Sequence, residues 1–148
     1  MNAKIRKFSA APSLLALAAL VVSSGIAQAA DVAVKLSGAE ETPAVTTSAS
    51  GTAKLTIGAD HSVAGNVKTS GMEGIAAHIH VGALGQAGPP IITLLKGENG
   101  EWTVPPGAKL TDEQFASYKA GNLYLNVHSP EHKAGEIRGQ LKRLGSTR

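Results

Sequence analysis

Short segments in which apolar residues alternate with polar or small ones, set apart by Gly, Pro, Asn and Ser, constrain this chain more than any other feature. Val32, Val34 and Leu36 alternate in this way, as do Ala53, Leu55 and Ile57, then Val63 and Val67, then Ile75, Ala77, Ile79 and Val81. Leu123, Leu125 and Val127 repeat the pattern, and Ile137 and Leu141 carry it across Gly139. A period of two belongs to strands, because successive side chains leave opposite faces. Ile91 to Leu95 is instead a continuous apolar run, which predicts a strand covered on both faces. One segment breaks the period: Thr111-Asp112-Glu113-Gln114 places a capping hydroxyl three residues before Gln, and Gly121 stands where a helix would end. It predicts a short helix over residues 111–120 with Leu110, Phe115 and Tyr118 turned inward. Seven or eight strands and one helical crossover predict an all-β fold, an antiparallel Greek-key β-sandwich or barrel with one short helix.

The chain begins with a cationic stretch (Lys4, Arg6, Lys7), an apolar run from Leu14 to Val22 and a small-residue end at Ala27-Gln28-Ala29. This order predicts a signal peptide over residues 1–29, cleaved after Ala29, and a periplasmic or secreted mature domain over 30–148. Pro12, Ser13, Ser23, Ser24 and Gly25 interrupt the run, whereas a membrane span needs roughly 20 unbroken apolar residues, so no membrane anchor is expected after cleavage. The leader carries three of the fourteen Lys and Arg residues and no acid, which leaves eleven basic and eleven acidic side chains. No basic stripe remains to displace counterions from nucleic acid, so nucleic acid is not an expected partner. About 119 residues then make one domain. With no cysteine, neither disulfides nor thiolate chemistry are available, and any metal must be held by His, Asp, Glu or backbone oxygen.

Strand parity gives the histidines a common address. His78 and His80 flank Ile79, so both imidazoles leave the face opposite Ile75, Ile79 and Val81. Two positions along a strand is roughly 6.6 Å, a gap that rotamers can close around one ion. In Leu123-Tyr124-Leu125-Asn126-Val127-His128, the inward Leu123, Leu125 and Val127 send Asn126 and His128 to the other face. If the two strands are neighbours, His78, His80 and His128 form a ligand set suited to copper or zinc. Glu131 and His132 follow in a turn that can add a fourth contact, while Glu136 and Arg138 share the non-core face of the last strand, where Arg138 can hold an anion or order a carboxylate. The same three histidines can instead hydrogen-bond loop carbonyls and bind nothing, which would make the chain a metal-free extracellular interaction or adhesion module with a protein partner. His61, in the Asp60-His61-Ser62 turn, is not an expected ligand. The stretch from Gly82 to Pro90 lacks the Lys and following helix of a phosphate loop and reads as a surface loop. No Ser-His-acid arrangement supports hydrolysis.

Several segments together resemble the chordin-domain (CHRD) family of bacterial secreted proteins and of extracellular chordin. They are Leu36-Ser37-Gly38-Ala39-Glu40-Glu41-Thr42-Pro43, Gly51-Thr52-Ala53, Ala77-His78-Ile79-His80, the Gly82 to Pro90 loop, Gly121 to His128, and Gly135-Glu136-Ile137-Arg138-Gly139-Gln140-Leu141. Ala44 departs from the family, which often has a second proline there. The resemblance implies an extracellular or periplasmic β domain of superoxide dismutase-like or immunoglobulin-like architecture. A weaker resemblance to copper/zinc superoxide dismutases lies in the strand His-x-His, the later Val-x-His and the turn Ala134, Gly135, Arg138, Gly139. It implies copper ligation by His78, His80 and His128, with Arg138 guiding anions, and hence a dismutase-like redox enzyme as a further alternative. The disulfide cysteines and a zinc-binding cluster of that family are missing.

Overall fold

A computed structural model of the protein describes residues 29–142. The expected signal peptide lies outside the described residues apart from Ala29. Among the described residues, no helix is long and apolar enough to cross a membrane. The elements in chain order are β1 (Ala30–Ser37), a 3-10 turn (Gly38–Glu40), β2 (Ser50–Ile57), β3 (Val63–Ser70), β4 (Ala76–Val81), β5 (Pro90–Thr93), β6 (Leu95–Lys96), β7 (Glu101–Thr103), α1 (Asp112–Lys119), β8 (Leu123–His128) and β9 (Ile137–Gln140). All strand pairs are antiparallel, in the order β5-β4-β8-β9-β1-β2-β3-β7-β6.

Closure of this sheet turns on Leu94. The end strands β5 and β6 are consecutive in the chain and separated only by Leu94, whose N–H donates to the Ala77 carbonyl of β4 at 2.9 Å. Two ends of one sheet that share a single linking residue must lie side by side, so the sheet curls into a nearly closed barrel. The crossovers β3–β7, β4–β8 and β9–β1 give it Greek-key rather than meander connectivity.

The inward side chains are those the alternation selects: Val32, Val34, Leu36, Leu55, Ile57, Val67, Ile79, Leu123, Leu125, Val127, Ile137 and Leu141 are all buried. Each contributes roughly 1.5–3 kcal/mol of transfer free energy, so this layer holds the barrel without disulfides. Three sequence expectations need correction. Ile75 precedes β4 and is 48% exposed, so it is not part of the layer. The Ile91 to Leu95 run is not one strand buried on both faces: it is split at Leu94 across the barrel seam, and Leu95 is 53% exposed. The strands number nine, because β6 and β7 span two and three residues, too short to display a period.

The expected helix is present. Thr111 Oγ1 accepts from the Gln114 N–H and Gln114 Oε1 accepts from the Thr111 N–H, a reciprocal cap for donors the helix leaves unpaired. Gly121, at φ 78, follows the last turn in the left-handed region. Leu110 and Tyr118 are buried and Phe115 packs against the core from its edge.

Candidate metal centre

Register between β4 and β8 brings the histidines together. Ala76 pairs with His128, His78 with Asn126 and His80 with Tyr124, so all these polar side chains rise from the face opposite Leu125 and Ile79. His78, His80 and His128 each offer a nitrogen, and the three atoms lie within 4.8 Å of one another. His78 Nδ1 is 3.0 Å from His128 Nε2. Glu131 and His132 are not part of this group; Ser129 and His132 close their turn with hydrogen bonds in both directions.

Backbone carbonyls decide the tautomers. His80 Nδ1 lies 2.8 Å from the Gly88 carbonyl and His128 Nδ1 lies 2.8 Å from the Lys133 carbonyl. A carbonyl only accepts, so both Nδ1 atoms carry protons and both Nε2 atoms keep their lone pairs. His78 Nδ1–H then donates to His128 Nε2. His80 Nε2 is buried and has no hydrogen-bond partner. Burial lowers the pKa of His78, with the neighbouring imidazoles of His128 and His80 adding to the effect. Burial also lowers that of His80, against the opposing pull of the Gly88 carbonyl. Both shifts favour the neutral imidazole that a metal ion requires.

The face carrying these groups is not the open surface that alternation implies. Every residue of β9 and all but His128 in β8 are buried. His80 is 7% exposed and Arg138 1%. The Gly82 to Pro90 segment lies over this second face. Arg138 Nη1–H donates to the Gln86 carbonyl at 2.8 Å, and Nη2–H donates to the Ala83 carbonyl and Gln140 Oε1, each at 3.0 Å. Gln140 Nε2 donates to the Gly82 and Gly121 carbonyls at 2.8 and 2.9 Å. The Arg138 guanidinium lies 3.5 Å above the Tyr124 ring, and that ring stacks on His80 at 4.7 Å between centroids and 12° between planes.

Glu41, Asn126 and Tyr124 belong to this neighbourhood although the sequence assigned them no role. Glu41 is carried in by the turn after β1, and burial raises its carboxyl pKa, against the lowering influence of Arg138 and Asn126. Its Oε1, Asn126 Oδ1 and Arg138 Nε are buried without a hydrogen-bond partner. At Gly135 φ is +134, which favours glycine in the turn before β9, and Asn126 Nδ2 and Glu41 Oε1 both lie within 2.5 Å of where a Cβ would stand, so a side chain there would also displace them. The signal in the sequence was the acidic pair before Thr42-Pro43, which composition alone cannot place. Glu136 is held elsewhere, accepting from Thr47 Oγ1 at 2.6 Å.

A family model described as CHRD domain matches residues 32–141, nearly all of the described barrel. The chain belongs to the CHRD-domain family. CHRD domains are modules of the extracellular type. The match spans β1 to the residue after β9, and so includes His78, His80, His128 and the residues that surround them. No curated protein and no solved structure matches this CHRD domain.

Proposed function

We propose that this CHRD-domain protein works outside the cytoplasm and binds a single copper or zinc ion through His78, His80 and His128. The observation that carries the reading is the convergence of three imidazole nitrogens within 4.8 Å, two of them on rings whose Nδ1 protons are held by backbone carbonyls. Metal-binding histidines commonly donate their second nitrogen in this way, which fixes the tautomer and raises ligand basicity. The donors also fit the ion: imidazole nitrogen suits copper and zinc, whereas calcium and magnesium select oxygen. The residues' own work is to present neutral imidazoles from two adjacent strands and, through burial at His80, to shield one side of the site from solvent. A bound ion would supply Lewis acidity and, if it is copper, one-electron chemistry. Dismutation forms no part of the reading, because Arg138 turns its guanidinium to loop carbonyls and a neighbouring ring rather than to solvent.

Calorimetric titration of the mature protein with copper(II) and zinc(II) tests this, alongside His80→Ala. One ion per chain is expected, with most of the affinity lost in the variant, whose fold should survive because the side chain lies off the apolar layer. No binding by the wild type, or equal binding by the variant, would leave the interaction module as the better account.

A further inference from the structure

We infer that Arg138 is a positioning residue for His80: by holding the 82–90 loop and the Tyr124 ring, it fixes which nitrogen of His80 carries the proton and where the ring points. The functional consequence rests on the metal-site reading; the structural claim does not.

Two routes connect these residues. The first runs through the loop. It contains Gly82, Gly85 and Gly88, with Gly85 at φ +75, and its backbone is closed by the Gln86 N–H to the Ala83 carbonyl and tied to β4 by the Val81 N–H to the Pro89 carbonyl. Side chains from β9 add to these ties. Arg138 fixes the carbonyls of Ala83 and Gln86, and Gln140, itself held by Arg138, fixes that of Gly82. Two residues beyond Gln86, the Gly88 carbonyl accepts the Nδ1 proton of His80 at 2.8 Å.

The second route runs through Tyr124. Strand β8 lies between β4 and β9, so His80 and Arg138 approach the Tyr124 ring from its two sides. The Tyr124 hydroxyl accepts the Gly88 N–H at 3.1 Å and also reaches the Gly88 carbonyl at 3.3 Å. Ring plane and proton position at His80 are therefore set by Tyr124 and the Gly88 carbonyl; Arg138 touches the first directly and reaches the second only through Tyr124 and the loop, whose far end is also tied to β4 by the Val81 N–H to Pro89 carbonyl bond at 3.1 Å. Its planar fork suits this work, since it satisfies several acceptors at fixed angles while stacking on an aromatic face. An anion receptor would have to turn those same N–H groups outward. His128 has a separate anchor, the Lys133 carbonyl, which Arg138 does not touch.

Long-range ¹H–¹⁵N correlation spectra of the metal-free protein near pH 8 read the tautomer of each histidine. In the wild type, His80 is expected as the Nδ1–H form. In Arg138→Gln and Arg138→Lys, His80 is expected as a mixture of tautomers while His128 keeps its own. Lys retains the charge but not the fork, so it should not rescue. Affinity for copper(II) and zinc(II), measured against a chromophoric chelator, should fall about ten- to a hundredfold in both variants, the usual effect of losing an outer-shell partner. Should Arg138→Gln unfold, Arg138→Lys decides. An unchanged His80 tautomer in a folded variant overturns the inference, even where affinity drops, and so does full rescue by Lys. A wild type that binds neither metal removes the metal-site reading, and the tautomer result still decides the role of Arg138.

Discussion

Proton competition at the three histidines gives the sharpest prediction. Each imidazole must shed its proton before it donates to an ion. A ligand of ordinary pKa, about 6.5, is about nine-tenths neutral at pH 7.5 and about one-tenth at pH 5.5, so it costs about tenfold in apparent affinity across that interval. Three such ligands would cost up to about a thousandfold. The structure moves this figure in a stated direction. Burial, with the neighbouring imidazoles second, lowers the pKa of His78, and burial lowers that of His80. Protons therefore compete less at any given pH, the midpoint of the loss lies below about 6.5, and the drop between pH 7.5 and 5.5 is smaller than a thousandfold. The limb stays steep, since more than one ligand titrates: log affinity should fall by more than one unit per pH unit over part of the acid limb. Competition titrations at half-unit steps, with circular dichroism confirming the fold at each, would show this. A slope of one or less throughout, or a midpoint above about 6.5 in folded protein, would refute the three-ligand reasoning.

Four further outcomes follow from the structure. A Cβ at Gly139 would sit 2.5 Å from the Lys35 carbonyl of β1, so Gly139→Ala should cost about 1–3 kcal/mol in denaturant unfolding, and an unchanged midpoint would contradict the close approach of β9 to β1. The metal-free domain should lose stability as pH falls below about 6.5, because His78 and His80 have folded pKa values below their unfolded ones and the unfolded chain takes up more protons there. Glu41 acts in the opposite sense, since its raised pKa makes the folded state bind a proton first; Glu41→Gln should therefore deepen the acid loss, and denaturant midpoints at pH 7.5, 6 and 5 that fall no further in the variant than in the wild type would exclude this assignment. His61 stacks on Phe115 at 4.1 Å and lies 3.4 Å from Asp112, so His61→Ala should leave copper and zinc titrations unchanged, and weakened binding would mean that the ion sits elsewhere.

What the sequence made legible is what strand parity and local capping control. The period of two in Val32 to Leu36, Ala53 to Ile57 and Leu123 to Val127 identifies the inward layer, and it puts His78, His80 and His128 on the other face without any knowledge of pairing. The Thr111–Gln114 cap and Gly121 mark the helix because the interactions that end it lie within a few residues. Parity names a face but not its cover. That the second face would lie beneath the Gly82 to Pro90 segment depends on Arg138 and Gln140, more than fifty residues away in sequence. Glu41 was invisible for the same reason. The seam at Leu94 also escaped, since an apolar run reads alike whether it crosses a sheet's interior or joins its two ends. Trp102 is the lone inward residue of β7, and one residue has no period.

The dependence of the site on the apolar layer runs deeper than a shared strand. His78 and His80 come from β4 and His128 from β8, so the separation of the ligand atoms is set by one interstrand register and by rotamers alone. A one-residue slip of β8 would turn Tyr124, Asn126 and His128 into the core and bring Leu123, Leu125 and Val127 out of it. Those three apolar residues are fully buried, at 0% exposure, and their removal from the core would forfeit several kcal/mol. Ala77, Ile79, Leu123, Leu125 and Val127 thus hold the histidines in register from the opposite face, although none of them is a candidate ligand. Side chains that are already placed lose little freedom when an ion arrives. In small domains that fold only around their metal, the ion has to supply that ordering itself; in this barrel hydrophobic burial on the opposite face sets the register that places the three histidines.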